Sequence, residues 1–296
     1  MTRPRYVYHM AVKNDSYLRK PEWLRIKLPD AIKSGKIRQM LAERNLNTIC
    51  SSGMCPNRGE CWCAGTATFM IGGDTCTRAC KFCAVKTGRP GTQPDPAEIG
   101  NIVRSIQELG LKHAVVTSVD RDDLPDGGAA HWAALIRAIR TQCPGVTLET
   151  LIPDFQGKTE LIDIVIAERP DVISHNLETV RRLTPHVRCS ATYDRSLAVL
   201  RHIAQSGIRS KSGIMLGLGE TPDEIIETMD DLIAVGCEVM TIGQYLQPSR
   251  SHYPVQTYIT PETFEQYRLT GIEKGFRHIE SSPFVRSSYH AERHVH

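Results

Sequence analysis

The sequence lacks the features that would place it in a membrane, in a secreted scaffold or on nucleic acid. Its 296 residues contain no run of about 18 apolar residues, and the N-terminal region has no apolar stretch of signal-peptide length. Net charge is only +3 and aromatic residues make up 6%, so no nucleic-acid partner and no membrane partner are expected. We therefore expect a cytoplasmic protein whose thiols are kept reduced.

What remains is the composition of an ordinary globular protein. Apolar residues make up 41% of the chain and charged residues 23%, and the length suits one large α/β domain or two modest ones. From residue 69 onward, apolar segments of strand length alternate with helix-like segments. We predict strands at 68–73, 113–119, 147–153, 171–178, 211–219 and 238–246, and helices at 96–110, 128–141, 158–169, 194–206, 222–236 and 261–275.

Six β-then-α units in succession indicate one parallel sheet with helices outside it. Six units are too few for an eightfold barrel, so the predicted fold is α/β, a partial (β/α)6 barrel of the TIM type. The barrel covers residues 68–276, with an N-terminal extension (1–67) and a C-terminal extension (277–296). Two helix starts are marked by Thr221 and Thr260, each an N-cap residue followed by proline.

Cysteine is unusually frequent in the sequence. Ten occur, and seven of them lie between residues 50 and 83, a crowding that favours a metal centre over disulfides in a reducing compartment. Cys76, Cys80 and Cys83 lie on a loop just after the first predicted strand. Three thiolates can hold three corners of a cubane iron–sulfur cluster and leave the fourth iron open. Structural zinc is the alternative, but it needs four ligands and usually takes Cys-x2-Cys pairs.

This loop carries a first resemblance to known proteins. The spacing Cys76-x3-Cys80-x2-Cys83, with Phe82 before the last cysteine, resembles the radical S-adenosylmethionine (SAM) superfamily. The resemblance implies a partial (β/α)6 barrel and a 4Fe–4S cluster whose open iron binds SAM. It also implies reductive cleavage of SAM to methionine and a 5′-deoxyadenosyl radical, which removes a hydrogen atom from the substrate.

A second resemblance, covering roughly residues 20 to 292, narrows the family. Cys50-x4-Cys55-x5-Cys61 is similar to the auxiliary-cluster motif of lipoyl synthases. That family is also matched by the stretches CKFCAVKTGRP, TSVDRDDLPDGGA, LETLIPDFQG, SHNLETV, SGIMLGLGE, QYLQPS and PFVRSSYHA. In lipoyl synthases a serine of an Arg-Ser-Ser-Tyr motif is the fourth ligand of the auxiliary 4Fe–4S cluster, and the resemblance implies that role for Ser288. Arg286 of the same motif is expected to position the cluster or the substrate, whereas Cys63 lies outside the pattern.

The resemblance to lipoyl synthases also implies a reaction. Sulfur would be inserted at carbons 6 and 8 of a protein-bound octanoyl-lysyl chain, with two SAM molecules used per lipoyl group and the auxiliary cluster sacrificed as the sulfur donor. A radical suits this chemistry, because an unactivated methylene has no acidic proton for a general base to remove. The implied partners are an octanoylated lipoyl carrier domain and an electron donor such as flavodoxin or ferredoxin. The carrier would be the glycine cleavage H protein or a 2-oxoacid dehydrogenase acyltransferase subunit.

Residues at or near strand ends are the candidate contacts of SAM, by analogy with the superfamily. For the polar ones, the alternative is a side chain satisfied by its neighbours in the fold, and for the aromatic one it is packing in the core. The candidates are Phe82, Ser118, Asp120, Glu149, Asn176 and Lys211.

Two other functions fit parts of the sequence. Biotin synthase would share Cys76, Cys80 and Cys83 but would lack both the upstream cysteines and the Arg-Ser-Ser-Tyr ending. A binding module with two structural zinc sites would need more Cys-x2-Cys pairs, a basic face and interleaved aromatic residues. The chain has both the upstream cysteines and the Arg-Ser-Ser-Tyr ending, and its net charge is only +3. We therefore favour the sulfur-inserting enzyme.

Overall fold

A largely parallel eight-stranded sheet organises the computed structural model, which describes residues 18–25, 31–63 and 67–295. The strands are β1 (Asn47–Thr48), β2 (Thr68–Ile71), β3 (Thr75–Cys76), β4 (Lys86–Thr87), β5 (His113–Ser118), β6 (Thr147–Leu151), β7 (Val172–Ser174), β8 (Arg209–Leu216), β9 (Val239–Gln244) and β10 (His278–Ser281). The helices are α1 (Ala31–Glu43), α2 (Ile49–Ser52), α3 (Arg58–Cys63), α4 (Ala97–Leu109), α5 (Ala129–Gln142), α6 (Thr159–Ala167), α7 (Thr184–Val187), α8 (Tyr193–Gln205), α9 (Pro222–Ala234) and α10 (Pro261–Lys274). Short 3-10 turns lie at Glu22–Leu24, Phe155–Gly157 and Ala291–His294.

The order of the strands makes the sheet an open, partial barrel. It runs β1-β2-β5-β6-β7-β8-β9-β10, and every neighbouring pair is parallel except β1 with β2. In the part of the chain that the structure describes, β1 and β10 are the two edges and do not pair with each other. The predicted fold class is confirmed, and all six predicted strands and all six predicted helices are present with shifts of a few residues at their ends.

The structure adds strands that the sequence pattern did not predict. β10, within the predicted C-terminal extension, pairs in parallel with β9 and gives the sheet a seventh parallel strand. Its four residues, His-Ile-Glu-Ser, alternate between half-buried and buried, so they lack the continuous apolar run that marks the central strands. The predicted strand at 171–178 is shorter in the structure, where only Val172–Ser174 is regular strand.

The predicted helix starts are confirmed in atomic detail. The Thr221 hydroxyl accepts a hydrogen bond from the Glu224 amide, and the Glu224 carboxylate accepts one from the Thr221 amide, which is a complete capping box. At α10 the Thr260 hydroxyl accepts from the Thr263 amide. Gly275, in the left-handed region with a φ of 104°, ends the same helix.

The N-terminal segment shares the core of the barrel. Ile37 and Met40 of α1 and Trp62 of α3 are buried in one apolar cluster with Phe69 of β2 and Ile102 of α4. This packing holds the segment with the upstream cysteines against the first strands of the barrel. Among the described residues, no helix combines the length and the apolar character needed to cross a bilayer.

The capping box at α9 gives a test of the fold. Replacing Thr221 by alanine removes the cap acceptor, and we expect the free energy of unfolding to fall by about 1 kcal/mol. Thr221→Ser keeps a hydroxyl and should lose only a few tenths of a kcal/mol. Urea unfolding followed by circular dichroism measures both, and equal losses in the two variants would contradict the assignment.

Candidate functional site

A cavity of about 330 Å³ opens at the C-terminal ends of the barrel strands. The upstream cysteine segment, the loop after β2 and the C-terminal segment after β10 line it together with residues of the barrel strands and the loops that follow them. Of the residues singled out in the sequence, the cavity is lined by Cys50, Cys55, Cys76, Cys80, Phe82, Cys83, Ser118, Asp120, Glu149, Asn176, Arg286 and Ser288. Cys61, in α3, and Lys211, in β8, do not line it.

A buried arginine fixes the loop that carries Cys76, Cys80 and Cys83. The Arg78 guanidinium donates to both carboxylate oxygens of Asp122 at 2.7 and 2.9 Å and to Asp154 at 2.7 Å. These aspartates follow β5 and β6, so the cysteine loop is tied to the ends of two strands. None of the Arg78 contacts was predicted from the sequence, because the partners lie 44 and 76 residues further along the chain.

The charges of this network stabilise one another. Burial alone would raise the pKa values of Asp122 and Asp154, but attraction and hydrogen bonds to Arg78 outweigh it. As a result the pKa of Asp122 is lowered and that of Asp154 is about 2. Both carboxylates are therefore ionised at neutral pH, and Arg78 remains paired although it is only 6% exposed.

The turn after Asp154 has a strained backbone, and this backbone orients the Asp154 side chain. Phe155 and Gln156 both have positive φ, 43° and 57°, although neither is glycine. Such conformations cost of order 1 kcal/mol each and persist where surrounding contacts determine them. Here the Asp154 side chain accepts from the Gln156 amide at 3.0 Å, and the Asp154 carbonyl accepts from the Gly157 amide at 2.7 Å. The turn thus presents Asp154 to Arg78.

Burial keeps the thiols of the loop protonated when no metal is bound. Burial, and next the charge of Asp120, raises the pKa of Cys76 to about 12. Burial likewise raises the pKa of Cys80 to about 12 and that of Cys83 in the same direction. Amide groups of Arg78 and Asp120 lie 3.4 and 3.3 Å from Cys76 Sγ and donate to it. A metal centre that takes these sulfurs as thiolates must therefore displace their protons.

The cavity wall contains buried acceptors without partners. Ser118 Oγ and Asn176 Oδ1 are buried and make no hydrogen bond, whereas the buried Asp120 Oδ1 forms an ion pair with Arg78 Nη1 at 3.3 Å. Buried polar atoms are nearly always paired, so unpaired ones in a cavity wall indicate a ligand that completes them. The ammonium group and ribose hydroxyls of SAM are suitable donors. Three thiols beside two unpaired polar atoms fit an iron–sulfur cluster with SAM next to it.

Within residues 18–25, 31–63 and 67–295, no three His, Cys, Asp or Glu side chains converge as the ligands of one ion. A structural zinc site needs four ligands around one centre, whereas a cubane takes each cysteine on a different iron.

Two of the residues predicted to meet SAM, Glu149 and Lys211, pair with each other. Lys211 Nζ lies 2.8 Å from both carboxylate oxygens of Glu149, and Ser174 Oγ donates to Glu149 at 2.7 Å. Glu149 and Lys211 are fully buried. Glu149 lines the cavity and Lys211 does not, so the ion pair connects the cavity wall to the interior of the barrel. Charged residues in mid-strand, rather than at strand ends, are the signal that would have indicated it.

The C-terminal segment brings Ser288 to the upstream cysteines. The Asn57 amide group donates to the Phe284 carbonyl at 2.7 Å, and the Tyr289 hydroxyl donates to Glu60 at 3.3 Å. These two bonds join the segment to α3 and to the turn before it. Ser288 Oγ lies 2.8 Å from the Thr68 hydroxyl at the start of β2.

Arg286 is a half-buried cation near Cys55. Burial lowers its pKa, and the nearby Cys55 partly offsets that effect. Its neighbour Ser287 accepts a hydrogen bond from Asn176 Nδ2 at 2.7 Å, which links the segment to the end of β7. A guanidinium in this place favours an anionic group at Cys50 and Cys55, as a thiolate-bound cluster would be.

Two further cavity residues were not predicted individually, although they lie in or near the stretch SHNLETV. Glu178 accepts from Asn176 Nδ2 at 3.2 Å, and burial raises its pKa. Arg188 lines the cavity and donates to the Asn176 carbonyl at 3.3 Å. Asn176 is thus positioned by partners on several sides, with Oδ1 left unpaired.

The chain is similar to known proteins both in its sequence and in its fold. The sequence profile described as the radical SAM superfamily matches residues 70–232. Lipoyl synthase from Porphyromonas gingivalis is 64% identical over 280 residues, covering 94% of this chain and 99% of that protein. Lipoyl synthase from Treponema denticola is 60% identical over 277 residues, covering 94% and 95%. The crystal structure of SuiB from Streptococcus suis bound to S-adenosylmethionine aligns with a TM-score of 0.57 and 13% identity, over 84% of this chain and 59% of that one. At that identity the likeness concerns the fold alone.

The pairing of Asp154 with Arg78 predicts a defined response to acid. A carboxyl whose pKa is lowered on folding contributes stability above its unfolded pKa of about 3.9 and loses it as pH falls through the folded value. For Asp154, whose folded pKa is about 2, about 2 kcal/mol should be lost between roughly pH 5 and pH 2. Asp154→Asn should be about 2–3 kcal/mol less stable at pH 7 and lose less on acidification. Urea unfolding at a series of pH values tests this.

The control for this prediction is Asp194→Asn. Asp194 pairs with Arg181 on the surface, and its side chain is 79% exposed. Such a pair is worth little, so this variant should unfold within about 0.5 kcal/mol of the wild type at every pH. An equal loss in both variants would mean that Asp154 does not stabilise the cysteine loop through Arg78.

The close approach of the C-terminal segment to β9 gives a second prediction. A Cβ on Gly243 would lie 2.0 Å from the Val285 carbonyl oxygen, so Gly243→Ala must displace the backbone leading to Ser288. We expect a loss of about 1–3 kcal/mol in unfolding free energy and faster hydrogen exchange at residues 285–289. In the control Gly100→Ala, the new methyl on α4 meets nothing within 4 Å, and stability should rise by about 0.5–1 kcal/mol. Unchanged exchange in Gly243→Ala would contradict the contact.

Proposed function

The chain belongs to the lipoyl synthase family of the radical SAM superfamily, and we propose that it converts a protein-bound octanoyl-lysyl chain into the lipoyl cofactor. It is a sulfur-inserting radical SAM enzyme, and the proposed reaction places two sulfur atoms, at carbons 6 and 8. The observation that supports this most is that Cys50 and Cys55 line the same cavity as Cys76, Cys80 and Cys83. A sulfur donor and a radical source must both reach one substrate carbon, and a shared cavity allows that.

We propose that Cys76, Cys80 and Cys83 hold one 4Fe–4S cluster, with SAM at its open iron. When bound, this pair supplies the electron and the 5′-deoxyadenosyl group with which a C–H bond is broken, once for each sulfur. The chain's own contribution is to orient SAM through Asn176 Oδ1, which is buried and unpaired, and through the Asp120 carboxylate, whose Oδ1 lies 3.3 Å from Arg78 Nη1. Ser118 and Phe82 line the same cavity and would complete the wall around SAM.

We propose that Cys50, Cys55, Cys61 and Ser288 hold a second 4Fe–4S cluster. When bound, this cluster supplies the inserted sulfur and is consumed. A serine oxygen is a harder and poorer ligand for iron than a thiolate, so Ser288 is the ligand that the chain gives up first. The Thr68 hydroxyl donates to Ser288 Oγ at 2.8 Å and would hold the serine when it is not bound to iron.

The substrate side of the cavity suits an apolar chain. Met70, Val85 and Leu246 line it, and Met54, 63% exposed, lies at its edge. Because an octanoyl-lysyl arm is long and flexible, the acyl chain can enter while its carrier stays outside. We propose an octanoylated lipoyl carrier domain as the partner, of the glycine cleavage H protein or a 2-oxoacid dehydrogenase acyltransferase subunit. A flavodoxin or ferredoxin is proposed as the electron donor.

Iron counting tests the division of roles between the two cysteine groups. After anaerobic reconstitution the wild type should bind about eight irons, and the combined variant Cys50→Ala, Cys55→Ala, Cys61→Ala about four. The variant should still cleave SAM but insert no sulfur into an octanoyl-lysyl peptide. Iron and sulfide assays with mass spectrometry of the peptide measure these outcomes.

The matched control is Cys63→Ala, which removes a neighbouring thiol outside the family pattern. It should keep about eight irons. If the wild type binds only about four irons and the triple variant keeps them all, the upstream cysteines are structural. The sulfur-donor role would then be wrong, while the radical SAM assignment would stand.

A further inference from the structure

Cys189 is a cysteine that no motif includes, yet it contacts a proposed cluster ligand. Its Sγ lies 3.8 Å from Sγ of Cys80, although the two residues are 109 positions apart in the sequence. Cys189 is exposed, whereas Cys80 is partly buried and lines the cavity. Neither forms a disulfide in the structure. The pair thus connects the surface to the cluster site.

Backbone and side-chain contacts hold the two loops together. The Lys81 amide, next to Cys80, donates to the Val187 carbonyl at 2.9 Å, two residues before Cys189. Arg188, between them, donates to Ser196 Oγ at 2.9 Å and to the Asn176 carbonyl at 3.3 Å. The proximity of the two sulfurs is therefore a consequence of how the loops are anchored. A disulfide needs a separation of about 2.05 Å, which the exposed Cys189 loop can provide by moving toward Cys80.

We propose that Cys80 and Cys189 form a reversible disulfide when the chain is without the cluster at Cys76, Cys80 and Cys83 and meets a peroxide. Hydrogen peroxide oxidises the Cys189 thiolate to a sulfenic acid, and the other peroxide oxygen leaves as hydroxide. The Cys80 sulfur then attacks the sulfenic sulfur, the S–S bond forms, and hydroxide leaves. In total, two thiols and one hydrogen peroxide give one disulfide and two waters. The proposal does not depend on the identity of the acyl substrate.

The order of these steps follows from exposure. Cys189 is open to solvent and reacts first, while Cys80 is partly buried and is shielded from the peroxide. The disulfide removes one of three sulfurs from the cluster site, so the site cannot take up iron in the oxidised state. It also protects Cys80 from irreversible oxidation beyond the sulfenic level. Because the bond lies near the surface, cellular thiols can reduce it again.

Peptide mapping tests the linkage directly. Cluster-free, reduced wild type is treated anaerobically with one equivalent of hydrogen peroxide, remaining thiols are alkylated, and the chain is digested with trypsin. Cleavage after Arg78, Lys81, Arg188 and Arg195 puts Cys80 on the peptide 79–81 and Cys189 on the peptide 189–195. We expect these two peptides joined by a bond that dithiothreitol breaks. Cys80 joined to Cys76 or Cys83, or not joined at all, would overturn the proposal.

Iron uptake supplies the second readout. It is measured in the variant that lacks Cys50, Cys55 and Cys61, so that the bound iron reports only on the site that contains Cys80. Peroxide-treated protein should bind almost no iron before dithiothreitol and about four irons after it. With Cys189→Ser added, the same treatment should leave uptake near four irons, and Cys143→Ser, a buried thiol elsewhere, should behave like the triple variant alone. Equal uptake with and without Cys189 would show that the disulfide does not close the site.

Discussion

One buried cation determines where the chemistry of this molecule takes place. The Arg78 guanidinium, between Cys76 and Cys80 in the chain, is surrounded by Asp122, Asp154 and the more distant Asp120. A buried arginine without partners would cost several kcal/mol, so the loop and the two strand ends must fold against each other. The cysteines and the polar atoms that would face SAM are thereby fixed in one frame. Placement of this accuracy is what a radical reaction requires, because the reacting atoms must be held in near-contact geometry.

The rest of the cavity is completed by segments from outside the barrel. α1 and α3 pack into the core beside β2, and the chain after β10 crosses β9 to reach them. Gly243 permits this crossing, since any side chain there would collide with the Val285 backbone. Consequently Ser287 bonds to Asn176, and Ser288 bonds to Thr68. The proposed second cluster site is thus physically continuous with the proposed SAM site.

The barrel could be predicted from sequence because its strands are continuously apolar and its helices have clear caps. β10 could not, since four residues of alternating exposure carry little signal. The cysteine groups were found from spacing, but the role of Ser288 rested on family resemblance, because a serine in a polar turn has no distinguishing pattern. Arg78 and its aspartates were missed since the pairing joins residues 44 and 76 positions apart. The ion pair of Lys211 with Glu149 was missed for a related reason, because only the fold brings these two residues, 62 positions apart, together.

The bonds that join α3 and β2 to the C-terminal segment span 227, 229 and 220 positions of the chain. During synthesis, the upstream cysteines leave the ribosome long before Ser288 exists, while the central strands can already pair with their neighbours. Contacts between distant positions form late because closing a long loop carries a large entropic cost. The nascent chain therefore passes through a stage in which central strands have paired but Cys50, Cys55 and Cys61 have not yet met the segment that carries Ser288. The proposed second cluster site is complete only once the last residues of the chain have been synthesised.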